Sequence, residues 1–149
     1  MNKERRDVLI GAGALLASVG ASRVMAAETG GHAGHGKTSK TIGPATVVFD
    51  NAIALRAIGQ VCVAFCYDNA ASHPALLECG RSATEMLAVN EAVEGLASLE
   101  SPRLKGVARA ADAVYAYCEE TCRKHEAHHE LCKRCADACA NMRKAIAAL

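Results

Sequence analysis

An all-α fold, an antiparallel up-down-up-down four-helix bundle, is predicted from three observations. The 149-residue chain is 51% hydrophobic, yet only 3% aromatic and without Trp. Ala, Leu, Glu, Lys and Arg are abundant instead, a helix-forming mixture. From residue 44 onward, apolar residues return at three- and four-residue steps, the period of a helix with one buried face. Prolines and short polar corners cut this region into four stretches, and connections of a few residues force neighbouring helices antiparallel.

Residues 1–26 read as a signal peptide. Lys3, Arg5 and Arg6 give a basic start, Val8 to Ala21 is apolar and rich in Gly and Ala, and Val24-Met25-Ala26 offers small-residue cleavage chemistry. The run is too short and too interrupted for a comfortable membrane span. Arg5-Arg6-Asp7-Val8-Leu9 resembles a twin-arginine signal, which implies export of an already folded protein. The expectation is an exported, periplasmic protein with no membrane attachment after cleavage. Residues 27–43, rich in Gly, Ser and Thr, read as a flexible Gly/His tail. His32 and His35 lie in it and would at most hold a metal loosely.

Residues 44–149 are expected to form the Cys-rich four-helix bundle. Pro44 suits a helix start. The first helix is predicted over about Pro44 to Asn69, with Val47, Val48, Ile53, Leu55, Ile58, Val61 and Phe65 as apolar positions. Ser72 is expected to cap the second helix, with Pro74 inside its first turn. That helix should run to about Leu99 and carry Leu76, Leu77, Met86, Leu87, Val89, Val93 and Leu96. Ser101-Pro102 supplies the next cap and first turn, for a helix to about His125 with Leu104, Val107, Ala111, Val114 and Tyr115. A polar corner at Glu126 to His129 leads to the fourth helix, about Glu130 to Ala148.

The chain holds eight cysteines, and this topology gathers them. Cys62 and Cys66 lie near the end of the first helix, Cys79 near the start of the second, Cys118 and Cys122 near the end of the third, and Cys132, Cys135 and Cys139 near the start of the fourth. In an up-down-up-down bundle those four ends coincide. The other half keeps plain apolar residues such as Ile53, Val93, Val107 and Ile146. Cys62/Cys66 and Cys118/Cys122 are i,i+4 pairs, and Cys132/Cys135/Cys139 is an i,i+3,i+7 series, so each set shares one helix face. Those faces coincide with the apolar stripes, which points the thiols inward.

Three readings of such thiols stand open: a metal site, a disulfide framework, and small apolar packing. Cysteines one helical turn apart have Cβ atoms about 5–6 Å apart, whereas a disulfide needs about 3.8 Å. Bridges within a helix are disfavoured, while bridges between helices are not. For a metal, thiolates favour Cu(I), zinc and iron–sulfur clusters. Zinc knuckles use C-x₂-C on turns, and only Cys132-x-x-Cys135 has that spacing, on a helix. Ferredoxin-type cysteine runs are absent from the sequence. Helical thiols lining a tube instead make a string of low-coordinate sites, which Cu(I), with its filled d shell, accepts.

The stretch Cys118 to Cys139, CEETCRKHEAHHELCKRCADAC, resembles the Cys-rich signature of bacterial copper storage proteins. Cys62-x-x-x-Cys66 and the His73-Pro74 helix start are consistent with that family. The resemblance implies a four-helix bundle whose inward cysteines hold several Cu(I) ions per chain through bridging thiolates. It further implies a homotetramer, export behind a twin-arginine leader, and storage or buffering; a copper donor or acceptor protein is a candidate partner. The chain departs from the family pattern in lining less of the tube with cysteine: Ala83 and Met86 follow Cys79, and Met142 follows Cys139. Met86 and Met142 are soft donors and candidate auxiliary ligands, or simply core packing. The lower thiol count leaves bulk storage, buffering, detoxification and delivery all open.

His73, His125, His128 and His129 fall at the same end, in or beside the two corners. They are candidates to admit copper, since imidazole binds it, or else exposed corner residues, His125 also suiting a helix C-terminus. Other function classes find little footing. The net charge is +1, with no basic stripe carrying interleaved aromatics, which argues against nucleic acid. No Ser/His/Asp set, phosphate loop or paired-carboxylate constellation points to an enzyme, and Glu119 and Glu120 read as solvated surface. The competing readings are a disulfide-stapled interaction bundle and a zinc-binding protein.

Overall fold

The computed structural model describes residues 42–149. The signal and tail assignments to residues 1–41, with His32 and His35, lie outside the described residues. Four helices follow in chain order: α1 Pro44–Asn69, α2 Leu76–Ser98, α3 Leu104–Arg123 and α4 Glu130–Ala147. Each packs chiefly on the two that flank it, α1 on α2 and α4, and α3 on α2 and α4. This is the antiparallel four-helix bundle predicted from the short corners.

The helix boundaries have local causes. Gly43 precedes α1 in an extended conformation, and Pro44 takes the first helical position, where its missing N–H is no loss. The expected cap at Ser72 does not form: α2 begins at Leu76 behind Ala75, without a side-chain cap. A tight turn intervenes, in which the Leu76 N–H reaches the His73 carbonyl at 2.9 Å and the Leu77 N–H reaches that of Pro74 at 3.1 Å. Pro74 therefore precedes the helix instead of lying inside it. Pro102 likewise falls before α3, which begins at Leu104. There Ser101 Oγ accepts the Arg103 N–H at 3.3 Å, tying down the corner instead of capping the helix.

The end of α2 is a Schellman arrangement. The Ser101 N–H reaches the Leu96 carbonyl and the Glu100 N–H that of Ala97, both at 3.0 Å. Glu100 adopts φ 47°, the left-handed conformation glycine usually supplies at this position.

The inward face of α1 is Val48, Ala52, Leu55, Gly59, Cys62 and Cys66, at alternating steps of four and three. Two residues assigned to the apolar half, Ile53 and Val107, are instead exposed, as are Val47 and Val61. Ile53 follows the buried Ala52, and Val107 precedes the buried Ala108. One residue is about 100° of helix, so each pair divides between core and solvent, and the smaller residue takes the core. Small residues also set the spacing of α1 and α2. A Cβ on Gly59 would lie 2.9 Å from both Met86 Cε and Leu87 Cδ2, and one on Gly80 would lie 3.2 Å from Cys66 Cβ.

Between the two halves sits a polar link. Tyr115 donates its hydroxyl to Asn90 Oδ1 at 3.3 Å, and Asn90 Nδ2 donates to the Ala52 carbonyl at 2.9 Å. Both side chains are fully buried. Among the described residues, no buried side-chain nitrogen or oxygen lacks a partner, as burial of polar groups requires.

Candidate metal centre

All eight predicted cysteines are free and lie in the core at 0% exposure. The bundle brings them together in three groups whose sulfurs lie within 4.8 Å of one another: Cys62, Cys66, Cys79 and Cys132; Cys62, Cys122 and Cys135; and Cys118, Cys135 and Cys139. Cys62 belongs to the first two groups and Cys135 to the last two. The groups thus form one continuous string along the bundle axis, and every helix contributes.

The distances suit thiolate ligation. With metal–sulfur bonds of about 2.3 Å, the zinc–thiolate length, two sulfurs opposite one another on an ion stand about 4.6 Å apart, and three around it about 4.0 Å. Cys62 and Cys66 are 4.0 Å apart at sulfur, as are Cys79 and Cys132. Cys79 and Cys122 are at 3.2 Å, well beyond the bond length of about 2.05 Å in a disulfide.

The thiols form a hydrogen-bonded network with a preferred site of ionisation in each outer group. Hydrogen bonds from Cys62, Cys66 and Cys79 hold Cys132 far below the ordinary thiol range. Those from Cys122, Cys135 and Cys139 do the same for Cys118, with a smaller contribution from the Ser82 hydroxyl. The cost falls on the neighbours. Cys66 is pushed up chiefly by Cys132, and Cys122, Cys135 and Cys139 chiefly by Cys118, with burial adding to each. One thiolate surrounded by thiols is thus favoured over several adjacent thiolates, as like-charge repulsion and desolvation demand.

The remaining predicted residues sit around this string. Met86 and Met142 are fully buried, Met142 one turn beyond Cys139 on α4. They lie between the thiols and the alanine-rich half. The histidines meet at the outer end. His73, His125, His128 and His129 line a cleft of about 560 Å³ with Ser72, Pro74, Ala75 and Leu76. The His129 ring is central, 5.7 Å from His73, 6.4 Å from His125 and 5.2 Å from Phe65, centroid to centroid. Among the described residues these imidazoles make no three-ligand set of their own; they ring an opening.

Two neighbours of the thiols escaped the sequence reading. Ser82 and Thr121 are buried, with hydroxyl oxygens 2.5 Å apart across α2 and α3. Their signal was present: Ser82 lies three residues after Cys79 and Thr121 three after Cys118, on the same helix faces. Polar residues on a buried stripe need partners; here each hydroxyl meets the other across the two helices and also reaches a carbonyl of its own helix, Ser82 that of Cys79 and Thr121 that of Cys118.

A four-helix bundle with linked thiol groups enclosed in one half has the geometry of a helical bundle that could hold metal ions. Residues 44–149 match the copper storage protein family, and the chain belongs to that family. No curated protein matches the chain.

Proposed function

We propose that this protein sequesters several Cu(I) ions per chain, bound by thiolates of Cys62, Cys66, Cys79, Cys118, Cys122, Cys132, Cys135 and Cys139, for storage, buffering or detoxification. One observation carries the reading: the three sulfur groups share Cys62 and Cys135. Shared sulfurs suit a chain of ions joined by bridging thiolates, and an ion content with two or three soft ligands each suits Cu(I). No step in this function transforms a substrate, and the protein is read as a binder and not an enzyme. The test is an anaerobic titration of reduced protein with Cu(I) against a chromophoric chelator. Several tightly held ions per chain are expected; one or none would overturn the reading.

A zinc reading has one observation in its favour, the four-thiol group of Cys62, Cys66, Cys79 and Cys132, which has the ligand number of a structural zinc site. The same titration with Zn(II) separates the two: a single zinc per chain that resists displacement by Cu(I) would favour it.

The histidine cleft is proposed as the place where copper is admitted and released, from or to a donor or acceptor protein. His125→Ala with His129→Ala should slow both loading and removal, and unchanged rates would remove that role. Self-association, as a tetramer by family likeness, is also proposed. It is supported by the outward apolar residues Val47, Ile53, Val61 and Tyr67 of α1, a helix apolar enough in length and composition to cross a membrane but only 33% buried over that stretch. Sedimentation would decide it. Export to the periplasm through a twin-arginine leader is proposed from residues 1–26, and the mass of the mature N-terminus tests it.

A further inference from the structure

The histidine cleft stops short of the thiols. Every cysteine is at 0% exposure, so an ion in the cleft must pass packed side chains before it meets a sulfur. The residue in its way is identifiable. Leu76 lines the cleft together with the four histidines, yet it is itself at 0% exposure. It is the first residue of α2, and Cys79 follows three positions later on the same inward face, a spacing that makes two side chains direct neighbours along a helix. Leu76 therefore has the cleft on one side and the first thiol group on the other. Phe65 packs against His129 and immediately precedes Cys66 in the chain.

We infer that Leu76 is the closure of the thiol chamber, the side chain whose displacement sets the rate at which copper passes between the histidine cleft and the Cys62, Cys66, Cys79 and Cys132 group. The inference deepens the proposed admission of copper at this end and rests on it. An apolar closure suits this position. It keeps water and small oxidants from thiols that the bundle holds in one another's reach. It offers no ligand on which an ion would lodge. Its location at the start of a helix matters as well. The corner before it, residues 70–75, is largely exposed, and helix ends open locally at much lower free energy than the core. The first turn of α2 can therefore move Leu76 aside while the rest of the bundle stays formed.

The molecule contains its own control. Leu104 is the first residue of α3, as Leu76 is of α2, and it is also buried, at 3% exposure, but at the opposite end. Leu76→Ala and Leu104→Ala remove the same atoms from equivalent positions. The experiment has two arms: the rate at which an aromatic disulfide reagent labels the metal-free native protein, and the rate at which a chromophoric chelator removes Cu(I) from the loaded protein. Leu76→Ala should raise both rates by at least about tenfold, a fraction of the packing a buried leucine supplies. The equilibrium number of bound Cu(I) should stay unchanged. Leu104→Ala should leave both rates near those of the parent. Leu76→Val, a smaller truncation that keeps the bundle folded, should move both rates in the same direction by less. Equal rates for Leu76→Ala and Leu104→Ala, whether fast or slow, would overturn the inference. The labelling arm uses no metal, so it decides the role of Leu76 even if the titration finds no copper.

Discussion

The two halves of this bundle are built on the same helical repeat and differ in what fills it. At one end the inward positions are Cys62, Cys66, Cys79, Cys118, Cys122, Cys132, Cys135 and Cys139; toward the other they are Val48, Ala52, Val93, Ala97, Leu104, Ala108, Ala145 and Ile146. Both are buried to a similar degree. A protonated cysteine packs as a small apolar residue, so the thiol half can close without metal, much as the alanine-rich half closes. What distinguishes the halves is chemistry held in reserve: the same small side chains that let the helices approach are the proposed ligands, and a thiol can bind a soft metal once it loses its proton. The neighbouring cysteines, with burial adding, keep most of those protons on until an ion displaces them.

The largest expected effect comes from erasing the difference. Replacing all eight cysteines by alanine should abolish tight Cu(I) binding while the helical circular dichroism persists, because alanine already serves at equivalent positions such as Ala52 and Ala108. A chain that unfolded would show that the thiols carry more of the fold than their size suggests.

Within the thiol half, the linking positions should matter more than the terminal ones. Cys62→Ala or Cys135→Ala touches two sulfur groups and should lower the Cu(I) number measured by chelator competition more than Cys66→Ala or Cys139→Ala. Equal losses would argue for independent sites instead of a connected string.

Loading should also follow pH in one direction. Cys66, Cys122, Cys135 and Cys139 are held above the ordinary thiol range, so they are protonated in the metal-free protein at neutral pH. Copper must displace those protons, about one per ligated thiol. Apparent affinity should therefore fall as pH falls and rise with pH through the neutral range, with proton release detectable by pH-stat. Loading without proton release would contradict the protonated resting state.

Smaller effects probe the divide and the far end. Tyr115→Phe removes the donor to the buried Asn90 Oδ1 and should cost about 1 kcal/mol of stability by denaturant titration, with the Cu(I) number unchanged. Glu100→Gly replaces a left-handed non-glycine residue and should stabilise the bundle by up to about 1 kcal/mol. Removing the exposed Arg56–Glu94 pair, 3.0 Å apart, should change stability by less than about 1 kcal/mol.

How far the sequence reached can be judged residue by residue. The span of α1 was legible because Pro44 and the polar corner after Asn69 are local signals. The inward face of each cysteine set was legible because i,i+4 and i,i+3,i+7 spacings fix direction around a helix. Their common end followed from loop length, since short corners leave antiparallel packing as the remaining choice. The cap at Ser72 was misplaced because the turn that carries Pro74 takes two more residues than cap chemistry suggests. Ile53 and Val107 were misassigned because hydrophobicity alone does not say which of two adjacent apolar residues faces inward.

The sequence by itself thus determined the helices, their antiparallel order and the half of the bundle in which the thiols collect, all of which follow from short-range periodicity and connection length. Only the tertiary structure decided which sulfurs meet: Cys79 beside Cys122, Cys62 and Cys135 as links, Tyr115 on Asn90, and Leu76 between the histidines and the thiols. Those partnerships depend on the axial stagger and separation of helices that are distant in the chain. Those quantities are set by how small residues such as Gly59 and Gly80 let backbones approach, and no local pattern encodes them.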